Sequence, residues 1–179
     1  MVDGFPMNIR SSNSANPIII LGIDPSLRGT GFGILVAHGS RVQARTFGVI
    51  RNPPNLRPSQ CLVAIRKRIS EVIEQHSPDV VAIEGLFYAQ NIRTALTMGQ
   101  ARGAALLAAA EAGLQIYEYA PRRVKQSVVG KGAASKNQVG FMMRALLGLT
   151  ETPEPDAADA LAIAMAHANS REFEKKTSL

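Results

Sequence analysis

The chain reads as an α/β domain built on a mixed sheet, three antiparallel strands followed by parallel strands, flanked by helices. Three observations predict it. Two short Ile- and Val-rich runs, 18–23 and 80–83, are continuously apolar, as strands buried on both faces are. Turn signals divide the first third of the chain into three hairpin-linked segments. Most of the later apolar segments repeat at helical spacing. With 179 residues, 46% of them hydrophobic, the chain has single-domain length and enough apolar surface for one core.

Residues 18–24 form the first expected strand, ended by Pro25. The second covers about 29–36, His38-Gly39-Ser40 makes a hairpin turn, and the third runs from about Val42 to Ile50 before Asn52-Pro53-Pro54 breaks it. From Ser59, the residues Leu62, Ile65, Ile69, Val72 and Ile73 share one helical face, with Arg66, Lys67 and Arg68 mostly on the other, until Ser77-Pro78. Residues 80–84 are the fourth strand, followed by a loop over 85–90. Asn91 is a suitable N-cap for a helix reaching Ala112, which Gly113 ends. A fifth strand is expected over 114–119. Helices follow from Pro121, over 135–147, and from Asp156 to about Ser170, with Gly130-Lys131-Gly132 between the first two. The order is βββαβαβααα. No internal repeat and no linker divides it, so 17–170 is read as one domain, 1–16 as a flexible tail and 171–179 as a short charged tail.

Composition narrows the function. A single cysteine, Cys61, excludes an internal disulfide and a cysteine-based zinc cluster. No stretch approaches the ~20 apolar residues of a membrane span, and the polar start lacks the apolar centre of a secretory signal. A cytoplasmic protein with no membrane partner is expected. The formal charge is +6. It is unevenly spread: no acid lies between Glu118 and Glu151, where Arg122, Arg123, Lys125, Lys131, Lys136 and Arg144 occur. Such a segment suits either phosphate contacts or a solvated face.

Four carboxylates carry the chemistry. Asp24 and Glu84 end the two buried strands, and Asp156 and Asp159 open an otherwise apolar helix. Acids leaving hydrophobic elements are costly to desolvate without a positive partner, and few basic residues lie near them in sequence. A metal ion fits that need. Magnesium takes hard oxygen ligands, with substrate phosphate and water completing the shell. Asp156 and Asp159, at i and i+3, share a helix face; local readings remain open, Asp156 as an N-cap with Asp159 as its capping partner, and Asp24 as an Asx-turn residue. Glu84 has no such local role. Acids from three segments therefore favour a two-metal phosphoryl-transfer site.

Other features are weaker. Phe87-Tyr88, in the loop after Glu84, can stack on unpaired bases or simply cap the sheet. Gly29-x-Gly31-x-Gly33 fails as a nucleotide-binding signature, because a strand rather than a helix follows. His38 is expected in a turn, His76 at a helix end, and His167 on the last helix as either a group supporting the acids or a packed core residue.

Taken with their order, Leu21-Gly22-Ile23-Asp24-Pro25, Ala82-Ile83-Glu84, Gly99-Gln100-Ala101-Arg102-Gly103, Val124-Lys125-Gln126-x-Val128-Val129-Gly130, Lys136-x-Gln138-Val139 and Asp156-Ala157-Ala158-Asp159-Ala160-Leu161-Ala162 closely resemble the RuvC family of bacterial Holliday-junction resolvases. The resemblance runs from about Ile18 to His167. It implies a ribonuclease-H-like fold, a homodimer, and cutting of four-way DNA junctions with Mg2+, two ions per active site and Mn2+ as a substitute. It carries the catalytic and metal-holding roles onto Asp24, Glu84, Asp156 and Asp159, junction wedging onto Phe87, and DNA-phosphate contacts onto Lys125 and Lys136. The branch-migration complex of RuvA and RuvB is implied as partner. Thr97 departs from the family, where many members have lysine. The competing readings are a ribonuclease H acting on RNA–DNA hybrids and a junction-binding protein without cleavage.

Overall fold

The computed structural model describes residues 16–85 and 91–177. Five strands, β1 (Ile18–Asp24), β2 (Gly29–His38), β3 (Arg41–Arg51), β4 (Val80–Glu84) and β5 (Gln115–Tyr119), form one sheet in the order β3-β2-β1-β4-β5. β2 is antiparallel to both β1 and β3, whereas β4 runs parallel to β1 and β5 parallel to β4. The helices are α1 (Pro58–His76), α2 (Ile92–Glu111), α3 (Pro121–Val129), α4 (Lys136–Leu147) and α5 (Pro155–Thr177). The mixed sheet flanked by helices is the fold expected from the sequence.

The sheet carries apolar side chains on both faces, because a helical layer covers each. On one face α1 and α2 bring Ile65, Ile69, Ala101 and Ala105 against Leu21, Ile23, Val81 and Ile83. On the other, α3, α4 and α5 bring Val124, Val139, Met143 and Leu161 against Ile20, Leu35 and Ala82. The central strands therefore read as unbroken apolar runs. β3, at the sheet edge, alternates exposed and half-buried residues along most of its length.

Local signals set most boundaries. Asn91 caps α2 by accepting the Arg93 N–H at 2.8 Å. Ser135 and Gln138 form a reciprocal capping box at the start of α4. A one-residue irregularity falls between β2 and β3: Ile34 pairs with Thr46 but Leu35 with Ala44, so Arg45 is the extra residue. Its guanidinium donates to the His76 carbonyl at the end of α1.

Two expectations change. The final helix does not stop near Ser170 but continues to Thr177. The segment Arg171-Glu172-Phe173-Glu174-Lys175-Lys176 is rich in helix formers and holds no Gly or Pro to end it, so charge alone was a poor sign of a tail. Asp156 is not the N-cap either: it lies inside the first turn of α5, which begins at Pro155, and the Glu154 carbonyl accepts the Ala158 N–H at 2.8 Å. Proline at the first helical position moves the start one residue upstream. Most of the expected N-terminal tail lies outside the described residues.

Candidate active site

Parallel pairing of β1 and β4 brings the first two acids together. Ile23 pairs with Ile83, and the next residue on each strand is the carboxylate, Asp24 or Glu84. Both therefore leave the sheet at the same edge. α5 supplies the other two by crossing the sheet over β1 and β2.

That crossing is unusually close, and glycines permit it. A methyl group on Gly22 would run into the Ala160 carbonyl and lie 2.9 Å from the Ala164 nitrogen. On Gly31 it would strike the Asp156 carbonyl, and on Gly33 it would lie 2.8 Å from Leu161 Cδ2. On Gly29 it would come within 2.8 Å of Asp156 Oδ2. The Gly29-x-Gly31-x-Gly33 series is thus a seat for α5, with alternate positions turned to one face of a strand. Sequence reasoning set it aside as a failed nucleotide motif. The signal that could have found it was the period of two within a strand, matched by a helix rich in small residues, with alanine at 157, 158, 160, 162, 164, 166 and 168.

All four acids line one cleft of about 690 Å³, with Lys125 from α3 and Lys136 at the start of α4. Arg28, Arg93 and Thr97 also line it and were not expected there as cleft residues. Lys136 Nζ lies 3.3 Å from Asp159 Oδ2, so chain folding supplies a cation that sequence proximity did not show. Neither Asp156 nor Asp159 accepts a backbone N–H of its own helix among the described residues, which removes the capping explanation for the pair. Asp24 likewise closes no Asx turn; Thr30 Oγ1 instead holds the backbone of Ser26 on both sides, accepting its N–H and donating to its carbonyl. Phe87 lies outside the described residues. His167 is buried in the core, 2.8 Å from the Tyr119 hydroxyl through Nδ1 and packed on Tyr117, and does not line the cleft.

The cleft is electrostatically loaded. Burial first, then the charges of Glu84, Asp159 and Asp156, push the Asp24 carboxyl up to about 7, against a smaller opposing pull from Lys136. Burial and Asp159 also raise Glu84, and burial raises Asp159 despite Lys136 beside it. Burial disfavours the Lys136 ammonium, but Asp159, Asp24 and Asp156 outweigh that and raise its pKa. Between pH 4 and pH 7 the folded chain holds a proton on Asp24 that the unfolded chain has released. Stability of the metal-free protein should therefore fall as pH rises through that window and level off above it. Thermal melts in EDTA across pH 4–8 check the sign, and added divalent metal should recover most of the loss at pH 8.

The donors suit a hard divalent cation. All are partly buried carboxylate oxygens, and burial together with neighbouring acids raises the pKa of Asp24, Glu84 and Asp159, which a cation would relieve. Among the described residues no three acidic, histidine or cysteine side chains by themselves form a ready metal cage. Magnesium does not require one, since it usually takes one or two carboxylates and completes its shell with water and phosphate oxygens.

Comparison with known proteins agrees with this geometry. The family described as crossover junction endodeoxyribonuclease RuvC matches residues 20–167. The crossover junction endodeoxyribonuclease RuvC of Akkermansia muciniphila is 50% identical over 148 residues, covering 83% of this chain and 89% of that protein. That of Pelotomaculum thermopropionicum is 44% identical over 163 residues, covering 90% and 99%. Among solved structures, Thermus thermophilus RuvC in complex with a Holliday junction substrate superposes with a TM-score of 0.82 at 36% identity, over 88% of this chain and 96% of that one. The yeast mitochondrial Holliday junction resolvase, at 14% identity and a TM-score of 0.65, shares the fold. The two carboxylates set side by side on β1 and β4, the two delivered by α5, and the family match across the whole sheet place this chain in the RuvC family of crossover junction endodeoxyribonucleases, nucleases that resolve Holliday junctions.

Proposed function

We propose that the chain cuts four-way DNA junctions by paired, symmetric phosphodiester hydrolysis, as a homodimer that depends on Mg2+, two ions per active site, with Mn2+ as a substitute. The observation that carries this reading is the gathering of Asp24, Glu84, Asp156 and Asp159 with Lys125 and Lys136 in one cleft. Asp24, Glu84, Asp156 and Asp159 would hold the ions, which when bound would supply activation of a water and stabilisation of the leaving oxygen. The residues divide the remaining work. Asp24 and Glu84 offer oxygens from the rigid sheet, and Asp156 and Asp159 from a helix clamped to it, so the donors are held in place before substrate arrives. Lys125 and Lys136 hold backbone phosphates as point charges. Lys136 is placed to exchange its Asp159 contact for a phosphate oxygen.

Dimerisation is supported by α2, whose Ile92, Leu96 and Leu107 are 81%, 63% and 50% exposed. Such an apolar helix face is disfavoured on a monomer. A two-fold pair of clefts would deliver the two symmetric incisions. RuvA and RuvB are the proposed suppliers of the junction.

Cleavage of a synthetic four-way junction, with linear duplex and RNA–DNA hybrid as controls, tests the proposal. Symmetric nicks on the junction alone, lost in EDTA, support it. Preferential cutting of the hybrid would replace it with a ribonuclease H activity.

Two further outcomes follow from the DNA contacts. Phe87→Ala should slow cleavage of a fully paired junction, while a junction with unpaired bases at its centre rescues much of the loss, because the ring would stabilise opened bases at a cost of ~1–3 kcal/mol when removed. Equal defects on both substrates would give Phe87 a packing role instead. Replacing Lys125 and Lys136 together by Ala should weaken junction binding and flatten its salt dependence by about 0.9 per phosphate contact on a log–log plot. The cleaved sequence should not change, since phosphate contacts carry no base information.

A further inference from the structure

We propose that Arg28, in the loop between β1 and β2, is a further phosphate clamp of the cleft, gripping the DNA backbone on the side away from Lys125 and Lys136. The proposal rests on the reading of this cleft as the place where the junction strand is cut. Arg28 lines that cleft, four residues after Asp24 and one before Gly29, whose face meets Asp156. The loop that carries it is held at several points. The Asn52 N–H donates to the Arg28 carbonyl at 3.0 Å, and the buried Asn52 side chain donates to the Leu27 carbonyl at 2.8 Å. Buried Thr30 fixes Ser26 through its hydroxyl.

The head group is oriented as well. Arg28 Nη1 donates to the Pro53 carbonyl at 2.6 Å and lies 3.4 Å from Cys61 Sγ on α1. The residue nevertheless remains exposed. Among the described residues it makes no ion pair with a carboxylate, although four line the same cleft. Nε and Nη2 are left without a hydrogen-bond partner among those residues. An arginine used only as scaffold would spend all its donors and lie buried; this one is held through Nη1 alone and left charged and exposed. A guanidinium held in advance loses less freedom when it grips a phosphate.

Position explains why such a contact is useful. Lys125 and Lys136 belong to α3 and α4, which pack with α5 on one face of the sheet. Arg28 docks on the first turns of α1, whose Ile65 and Ile69 lie in the core of the other face. Four acids repel the strand they must cut, so cations on both flanks of the cleft hold it where cations on one side would let it swing away.

The test is junction binding across a NaCl series by Arg28→Gln and Arg28→Lys, both in an Asp24→Asn background that stops cleavage. Arg28→Gln should weaken binding about tenfold and lower the log–log salt slope by about 0.9. Arg28→Lys should keep the slope but only part of the affinity, because the charge survives without the fork. Melting temperatures run alongside. An unchanged slope and affinity in folded Arg28→Gln would overturn the clamp. If Arg28→Gln does not fold, methylphosphonates replacing single phosphates beside the cut site are tested on the parent and on Arg28→Lys. Loss of affinity at one phosphate, larger in the parent than in Arg28→Lys, supports the clamp, and equal losses overturn it. Lys125→Ala serves as reference: a flattened slope there with none in Arg28→Gln condemns Arg28 alone, whereas no junction binding by the parent condemns the cleft reading and the clamp together.

Discussion

Asp24→Asn should lower junction cleavage by about 10³-fold or more, corresponding to roughly 4 kcal/mol of lost transition-state stabilisation, while junction binding stays intact or tightens slightly. The side chain keeps its shape but loses the charge that draws a divalent cation. Without that cation the native carboxylate repels phosphate, so its removal helps binding as it ends chemistry. The same substitution should stabilise the metal-free protein at pH 8. Native Asp24 is forced to ionise there beside Glu84, Asp159 and Asp156, whereas the amide is not. A gain of about 2 kcal/mol would raise the melting temperature by about 4–8 °C. Cleavage near the wild-type rate would remove Asp24 from the metal site.

Gly31→Ala should also damage cleavage strongly, without touching any catalytic atom. The added methyl would meet the Asp156 carbonyl and come near the Asp156–Ala157 peptide, and backbone there cannot rotate aside as a side chain does. α5 must lift from β2, carrying Asp156 and Asp159 with it. Overpacking of this kind costs about 1–3 kcal/mol, and a displacement of about 1 Å at the acids costs on the order of 100-fold in rate. Melts give the stability loss, and cleavage well below the variant's melting point gives the rate. A variant of full activity would mean that the seat does not set the position of the acids.

Those two residues mark what was legible in the sequence. Asp24 and Glu84 stood out because each follows a run of apolar residues, and the parallel pairing of β1 with β4 then needed only the order of elements. Asp156 and Asp159 were visible as a pair, but their N-capping alternative stayed open until α5 was seen to start at Pro155. The glycine seat was missed for a physical reason: its partner lies more than a hundred residues along the chain, and only the crossing of α5 over β2 gives alternate glycines a purpose. Distance along the chain hid Lys136 in the same way. Its contact with Asp159 spans 23 residues and the turn between α4 and α5, so the acids looked less compensated than they are. Arg28 lies outside the acid-free segment, on the opposite flank of the cleft, where a short loop carries a single basic residue and so gives no cluster of charge to read. The continuation of α5 past Ser170 followed ordinary helix propensity.

The central claim, that these four carboxylates hold the metal for strand cutting, is tested most directly by manganese anomalous scattering. Crystals of the wild-type chain with an uncleavable four-way junction and Mn2+ should show anomalous peaks in the cleft. Peaks within bonding distance of oxygens of Asp24 and its neighbouring acids are expected, two of them ~3.5–4 Å apart when the scissile phosphate is in place. Cleavage that persists in EDTA, or manganese bound only outside this cleft while junctions are cut, would contradict the claim.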